Sequence, residues 1–213
     1  MQFTDVPMPP AVAVRPRDAR GYPVLAITPW IDGVPDFGRT STERVLVCAV
    51  ERRCAICGTR LDPNEAWRVV AAEEAVAILS ARERGMGYVN AAPTVEPPGH
   101  SDCMTYAAAV CPFLARPNAR RGQTLAMPHF RAERGDRRGE RDGVGGAVVG
   151  FRTYQHRLDE VVLFTFTDVF DCRPHRVGED QAKALVSGPD RGPFPPWLGD
   201  DDLLAVERAR RYV

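Results

Sequence analysis

The sequence predicts an α+β fold, a small antiparallel sheet packed by several short helices. Three observations predict it. Short β-branched and aromatic runs occur beside alanine- and glutamate-rich stretches of helical period. The 19 prolines and 18 glycines cut the chain into short elements joined by turns. Two separated cysteine and histidine pairs have metal-ligand spacing, and a metal can tie together short elements that have little stability of their own.

Residues 1–20 are rich in proline and arginine and read as an extended arm lying over the domain. Residues 22–31 (YPVLAITPWI) suit a short strand, broken by Pro29 and returning through Gly33 towards Phe37. Residues 42–53 suit a helix capped by Thr42, with Val45, Leu46, Ala49 and Val50 at helical spacing. A strand is expected over 66–70. A helix over 73–84 follows, with Val76, Ile78 and Leu79 apolar, and stops at Gly85 and Gly87.

Pro93, Pro97 and Pro98 hold the next stretch extended. An alanine-rich helix is expected over 101–110, with Ser101 and Asp102 near its start and Pro112 past its end. Residues 116–142 are the main compositional break and read as a flexible arginine-rich loop. Two paired strands over 147–154 and 160–169 come next, with Leu158, Asp159 and Glu160 at the turn. A helix over 179–186, a proline-rich RGPFPPWLG and a terminal helix over 200–211 complete the chain. In domain terms, 21–115 is a zinc-binding α+β region, and 143–213 is a strand pair with C-terminal helices packed in the same domain.

Composition narrows the function classes. Hydrophobic content of 44% and charged content of 26% are those of a globular chain, and the net charge is zero. Whole-molecule electrostatics therefore make no case for a nucleic acid or a charged membrane. No stretch approaches the roughly 18–20 apolar residues of a membrane span, and the N-terminus lacks the pattern of a secretory signal. The expected setting is cytoplasmic, with reduced cysteines.

Cys54-Ala-Ile-Cys57-Gly58 is a C-x2-C-G knuckle. Two thiolates at this spacing chelate one ion across a tight turn, and the glycine permits the left-handed backbone such turns use. His100-Ser-Asp-Cys103 is an H-x2-C pair at a helix start, where residues three apart share a side and the helix terminus favours a thiolate. Together Cys54, Cys57, His100 and Cys103 form a Cys3His set that predicts a structural zinc ion in a treble-clef-like site. Alternatively, Cys54 and Cys57 are buried thiols and His100 a surface residue. Glu96 is expected to accept the imidazole N–H of His100. Cys111 stands roughly 12 Å along the helix from Cys103, too far to share an ion, and reads with Cys48 as core packing. Cys172 takes no role.

Catalytic zinc keeps a position open for water, whereas this set supplies four protein ligands. No histidine precedes His100 to act as a nuclease base, and His129, His156 and His175 are scattered. Phosphate-loop, dinucleotide, G-x-S-x-G, H-E-x-x-H and zinc-deaminase motifs are absent. Three readings remain. The first is a non-enzymatic module that binds another macromolecule, protein or nucleic acid. The second is a nucleic-acid binder using Arg116, Arg120, Arg121, Arg131, Arg134, Arg137 and Arg138. In that segment eight arginines, counting Arg141, against four acids leave a local charge of +4. The third is a zinc-dependent hydrolase or nuclease-like enzyme.

The blocks ERRCAICGTRL (51–61) and EPPGHSDCMTYAAAVCPFL (96–114), with RDARGYPV (17–24) and the Trp30 to Gly33 turn, resemble a family of short zinc-binding proteins from actinobacteria and their phages and plasmids. CRPHRVGEDQAKAL (172–185) resembles that family's strand-then-helix ending more loosely. The chain departs from the family between 70 and 95, where a longer helical stretch replaces a tighter connection. The resemblance implies the same four ligands and a cytoplasmic setting, and it carries no activity with it.

Overall fold

Three segments rich in β-branched and aromatic residues build one antiparallel sheet, with strands β3 (Ala66–Val70), β4 (Ala147–Leu158) and β5 (Val162–Pro174) in the order β3-β4-β5. This is a computed structural model that describes residues 6–88, 93–110, 146–174 and 189–213. In β4, Ala147 faces Val70 of β3 on one side and Pro174 of β5 on the other. A shift of register between Gly150 and Phe151 bends the long β4–β5 hairpin. Phe151, Phe164 and Phe166 are fully buried, with ring centroids 5.0 Å apart for the 151–166 pair and 6.3 Å for 164–166. Tyr154 lies among these rings and donates its hydroxyl to the carbonyl of Ala49, 3.1 Å away.

The α+β class is therefore as the sequence predicts, with five α-helices among the described residues. Helix α1 (Pro10–Ala13) is one turn within the expected extended arm, and it buries Ala11 and Val12. A two-residue hairpin, β1 (Trp30–Ile31) with β2 (Val34–Pro35), turns through Asp32 and Gly33, both at positive φ. The strand expected over 22–31 thus shrinks to its last two residues. The Trp30 N–H donates to Asp202 of the C-terminal helix, 3.0 Å away, so this stretch anchors to a helix and not to the main sheet.

Helix α2 (Thr42–Val50) is capped by Ser41, whose hydroxyl accepts the Arg44 N–H, and not by Thr42. Helix α3 (Ala72–Glu83) buries Ala75, Ile78 and Ala81 and leaves Val76 outside. Helix α4 (Ser101–Val110) packs on β3 and β4. Helix α5 (Asp202–Ala209) follows a 3-10 turn at Pro196–Leu198 and packs on α2. The wholly buried Arg44 fastens α2 to α5. Its Nε binds Asp202 at 2.6 Å, Nη1 donates to the Ala26 carbonyl, and Nη2 donates to the carbonyls of Gly199 and Asp201. The arginine-rich loop with Arg116, Arg120, Arg121, Arg131, Arg134, Arg137 and Arg138, the helix expected over 179–186, and Cys111 lie outside the described residues.

Candidate metal centre

The knuckle is a short backbone loop closed by its own hydrogen bonds. The Cys54 N–H donates to the Thr59 carbonyl and the Gly58 N–H to the Cys54 carbonyl, both at 2.9 Å, and Arg53 bridges to Arg60. Gly58 has φ +82°, the left-handed conformation that its place in the motif requires. This turn lifts the sulfurs of Cys54 and Cys57 to one side.

The second pair arrives through a different device. Gly99 and Trp67 exchange backbone hydrogen bonds of 2.8 and 2.9 Å, which sets His100 beside β3. The Ala55 N–H donates to the Pro98 carbonyl at 2.9 Å and stitches knuckle and linker together. Gly99 is there for closeness: a Cβ on it would stand 2.6 Å from Met104 Cε and 3.1 Å from Cys54 Sγ. Helix α4 then begins, and Cys103 on its first turn faces the same point.

The result brings all four expected ligands together. Their donor atoms lie within 4.8 Å of one another, with the cysteines 0% and His100 2% exposed. His100 Nδ1 is 3.5 Å from Cys57 Sγ and 3.9 Å from Cys103 Sγ. A tetrahedral ion bonded at about 2.3 Å to sulfur and about 2.0 Å to nitrogen would space its donors roughly 3.5–3.8 Å apart. The cluster fits a metal ion on donor type, spacing and burial.

The surrounding hydrogen bonds fix the donors. His100 Nε2 donates to the Arg60 carbonyl at 2.8 Å, which leaves Nδ1 as the free lone pair among the sulfurs. The partner expected was Glu96, and that expectation is corrected: Glu96 stands 3.8 Å from Arg68 instead. The reason is geometric, since the knuckle's return strand brings Arg60 under the imidazole. The N–H groups of Ile56 and His100 each donate to Cys54 Sγ at 3.4 Å, and Thr59 Oγ1 lies 3.1 Å from Cys57 Sγ.

These contacts appear as acid–base shifts. Burial alone would push the Cys54 thiol up. Hydrogen bonds from Cys103, Cys57 and the backbone N–H groups of Cys57 and His100 outweigh it and hold Cys54 well below its ordinary value. Cys103 moves the opposite way, raised well above its ordinary value by hydrogen bonding to Cys54 and Cys57 and then by burial. The opposite shifts describe thiols that share protons and titrate as one cluster. Metal binding expels the remaining protons.

Cys48 is buried on α2 and pushed up to about 12 by burial, the behaviour of a packing thiol. Cys172, on β5, is also buried. His156 sits on β4 beside Tyr154 and Phe164, away from the cluster in sequence and element, and its burial lowers it from its ordinary value. Sequence reasoning missed Thr59, Gly99 and the Arg60 carbonyl. Gly99 directly precedes His100 and Thr59 lies two residues after Cys57, but nothing in the sequence reports a backbone acceptor. Comparison with protein-family models, with characterised proteins and with solved structures finds no match.

Proposed function

We propose that Cys54, Cys57, His100 and Cys103 hold a structural zinc ion that clamps the knuckle to helix α4, and that the chain is a non-enzymatic module presenting its surface to a macromolecular partner. The single observation that carries this reading is the burial of four complete ligands. Zinc suits three thiolates and an imidazole in a tetrahedron, and four protein donors fill its first shell without leaving a face for water. Knuckle first and helix-borne ligands second is also the order of a treble clef, which supports that arrangement here. The likeness of residues 51–61 and 96–114 to the actinobacterial and phage-borne family supports the same ligands. A reducing, cytoplasmic setting keeps such thiolates available.

The energetic reason for the ion lies in the chain's construction. The knuckle and the His100–Cys103 turn are short, and the linker between β3 and α4 includes several prolines. Structural zinc contributes on the order of 10 kcal/mol to folding, comparable with the whole stability of a domain. Cys57→Ser, or a strong chelator, is therefore expected to remove the metal and abolish the cooperative thermal transition. Elemental analysis with circular dichroism checks both, and a Cys57→Ser protein that melts like the wild type would refute the role.

A further inference from the structure

Residues 189–199 form an irregular segment that is held in place by other parts of the chain. Its one regular element is the 3-10 turn at Pro196–Leu198, and Pro193, Pro195 and Pro196 have no N–H to donate. The Leu198 and Gly199 N–H groups donate within the segment, to the Pro195 and Pro196 carbonyls. Side chains of the body do the fastening. Arg15 Nη1 donates to the Leu198 carbonyl at 2.6 Å and Arg44 Nη2 to the Gly199 carbonyl at 3.1 Å. The Trp197 ring lies under the guanidinium groups of Arg53 and Arg208, at 5.4 and 4.4 Å.

This segment touches both pieces that supply the ligands. Leu198 Cδ1 and Phe194 Cβ press on the knuckle, 3.2 and 3.5 Å from where a Cβ on Gly58 would be. Arg191 spans the two halves. Its Nη1 donates to Asp62 Oδ2 at 2.8 Å, on the chain leaving the knuckle, and its Nη2 stands 3.5 Å from Asp102 Oδ1, on the first turn of α4. The Asp62 side chain is half-exposed, whereas those of Arg191 and Asp102 are each 12% exposed. Both Asp102 carboxylate oxygens are out of solvent and without a hydrogen bond, as is Arg191 Nε. Arg173 reaches Ser101 Oγ at 2.9 Å but is itself paired with Asp171 at 2.8 Å. Asp102 therefore has Arg191 as its counter-charge, reinforced by the N-terminal end of α4. Withdrawal of Arg191 would strand a buried carboxylate.

Resting on the zinc reading above, we propose that residues 189–199 are a strap closing the metal centre, that Arg191 is its clasp, and that opening of the strap sets how fast the ion is given up. All four ligands are buried, so a competing chelator reaches them only after something moves. The knuckle and the chain entering α4 are held by backbone hydrogen bonds: Cys54 to Thr59, Gly58 to Cys54 and Ala55 to Pro98. The strap is held by side chains, so it opens at lower cost than the knuckle or the core. Arg191 is a positioning residue that acts through Asp62 and Asp102, keeping the knuckle against the first turn of α4.

The test is the rate of zinc transfer from the loaded full chain to an excess of chromophoric chelator, with urea unfolding measured alongside. Arg191→Met is expected to release zinc about tenfold faster or more while still holding one zinc per chain. Arg191→Met and Asp102→Asn together are expected to speed release by less than the product of their separate effects, because they cut the same pair. A full product would overturn the clasp. Ile78→Ala, in the core on α3, is the control. It lowers global stability, yet its release rate is expected to stay within about threefold of wild type, since strap opening is local. Equal acceleration by Ile78→Ala and Arg191→Met at matched loss of stability would show that release needs global unfolding, and would overturn the strap. If Arg191→Met does not fold, Asp62→Asn decides, because it cuts only the exposed arm of the clasp. Release about threefold faster or more supports the proposal, and an unchanged rate overturns it. A wild-type chain that takes no zinc overturns both this proposal and the metal reading. A zinc-tight wild type whose release rate is unmoved by Arg191→Met overturns the strap alone.

Discussion

Replacing Gly58 by alanine tests the knuckle without touching a ligand. Two costs add at this position. The backbone has φ +82°, where an L-residue is disfavoured by roughly 1–2 kcal/mol. The new methyl would also meet Leu198 Cδ1 at 3.2 Å, Ala26 Cβ at 3.4 Å and Phe194 Cβ at 3.5 Å. Only the first contact is tight, and it is with the end of a flexible side chain. The crowding cost therefore falls near the low end of overpacking, about 1 kcal/mol.

The total expected for Gly58→Ala is about 2–3 kcal/mol. Gly85 provides the control, since it has φ +66° with nothing within 4 Å of its Cβ position. Gly85→Ala should show the backbone cost alone, about 1–2 kcal/mol. Urea unfolding of the metal-loaded proteins measures both. In a Leu198→Ala background the Gly58→Ala penalty should fall towards the Gly85→Ala value, because the crowding partner is gone. Equal penalties at 58 and 85 in the wild-type background would refute the packing of the 194–198 segment against the knuckle.

Two further outcomes follow from the buried charges. Arg44→Met removes a fully buried guanidinium from Asp202 and three carbonyls, and is expected to cost about 3–5 kcal/mol in urea unfolding. Glu51 is held below its ordinary carboxyl value. Burial would raise it, but hydrogen bonds from Arg208, Arg53 and Tyr212 outweigh that. A carboxyl depressed in the folded state contributes stability that is present above its unfolded value and lost as pH falls through its folded value. The wild type should therefore lose its advantage over Glu51→Gln on acidification below about pH 4.5, and the two curves should converge. A constant gap across that window would show that Glu51 acts by packing alone.

The ligand set was legible because metal chelation writes itself into spacing. Cys54 with Cys57, and His100 with Cys103, are each close in sequence, so local geometry nearly fixes how each pair presents its donors. The presence of β3, α3, α4 and the β4–β5 hairpin was legible from local pattern and composition, although α3 buries Ala75, Ile78 and Ala81 and leaves Val76 exposed. What escaped was set by distant chain. The 22–31 run has strand composition, yet Trp30 binds Asp202 across the fold and only two residues pair. Glu96 stands four residues before His100 in sequence, but the Arg60 carbonyl, forty residues upstream, reaches the imidazole first. Nothing local in the sequence marks Arg44 for burial, which depends on Asp202 and on the carbonyls of residues 26, 199 and 201.

The most direct measurement is X-ray absorption at the metal edge of the protein as purified, with metal content from the same sample. One zinc per chain is expected, four-coordinate, with three sulfurs at about 2.3 Å and one nitrogen at about 2.0 Å. An oxygen donor in the first shell, a shell with fewer than three sulfurs, or a chain that binds no metal would contradict a closed structural centre at Cys54, Cys57, His100 and Cys103.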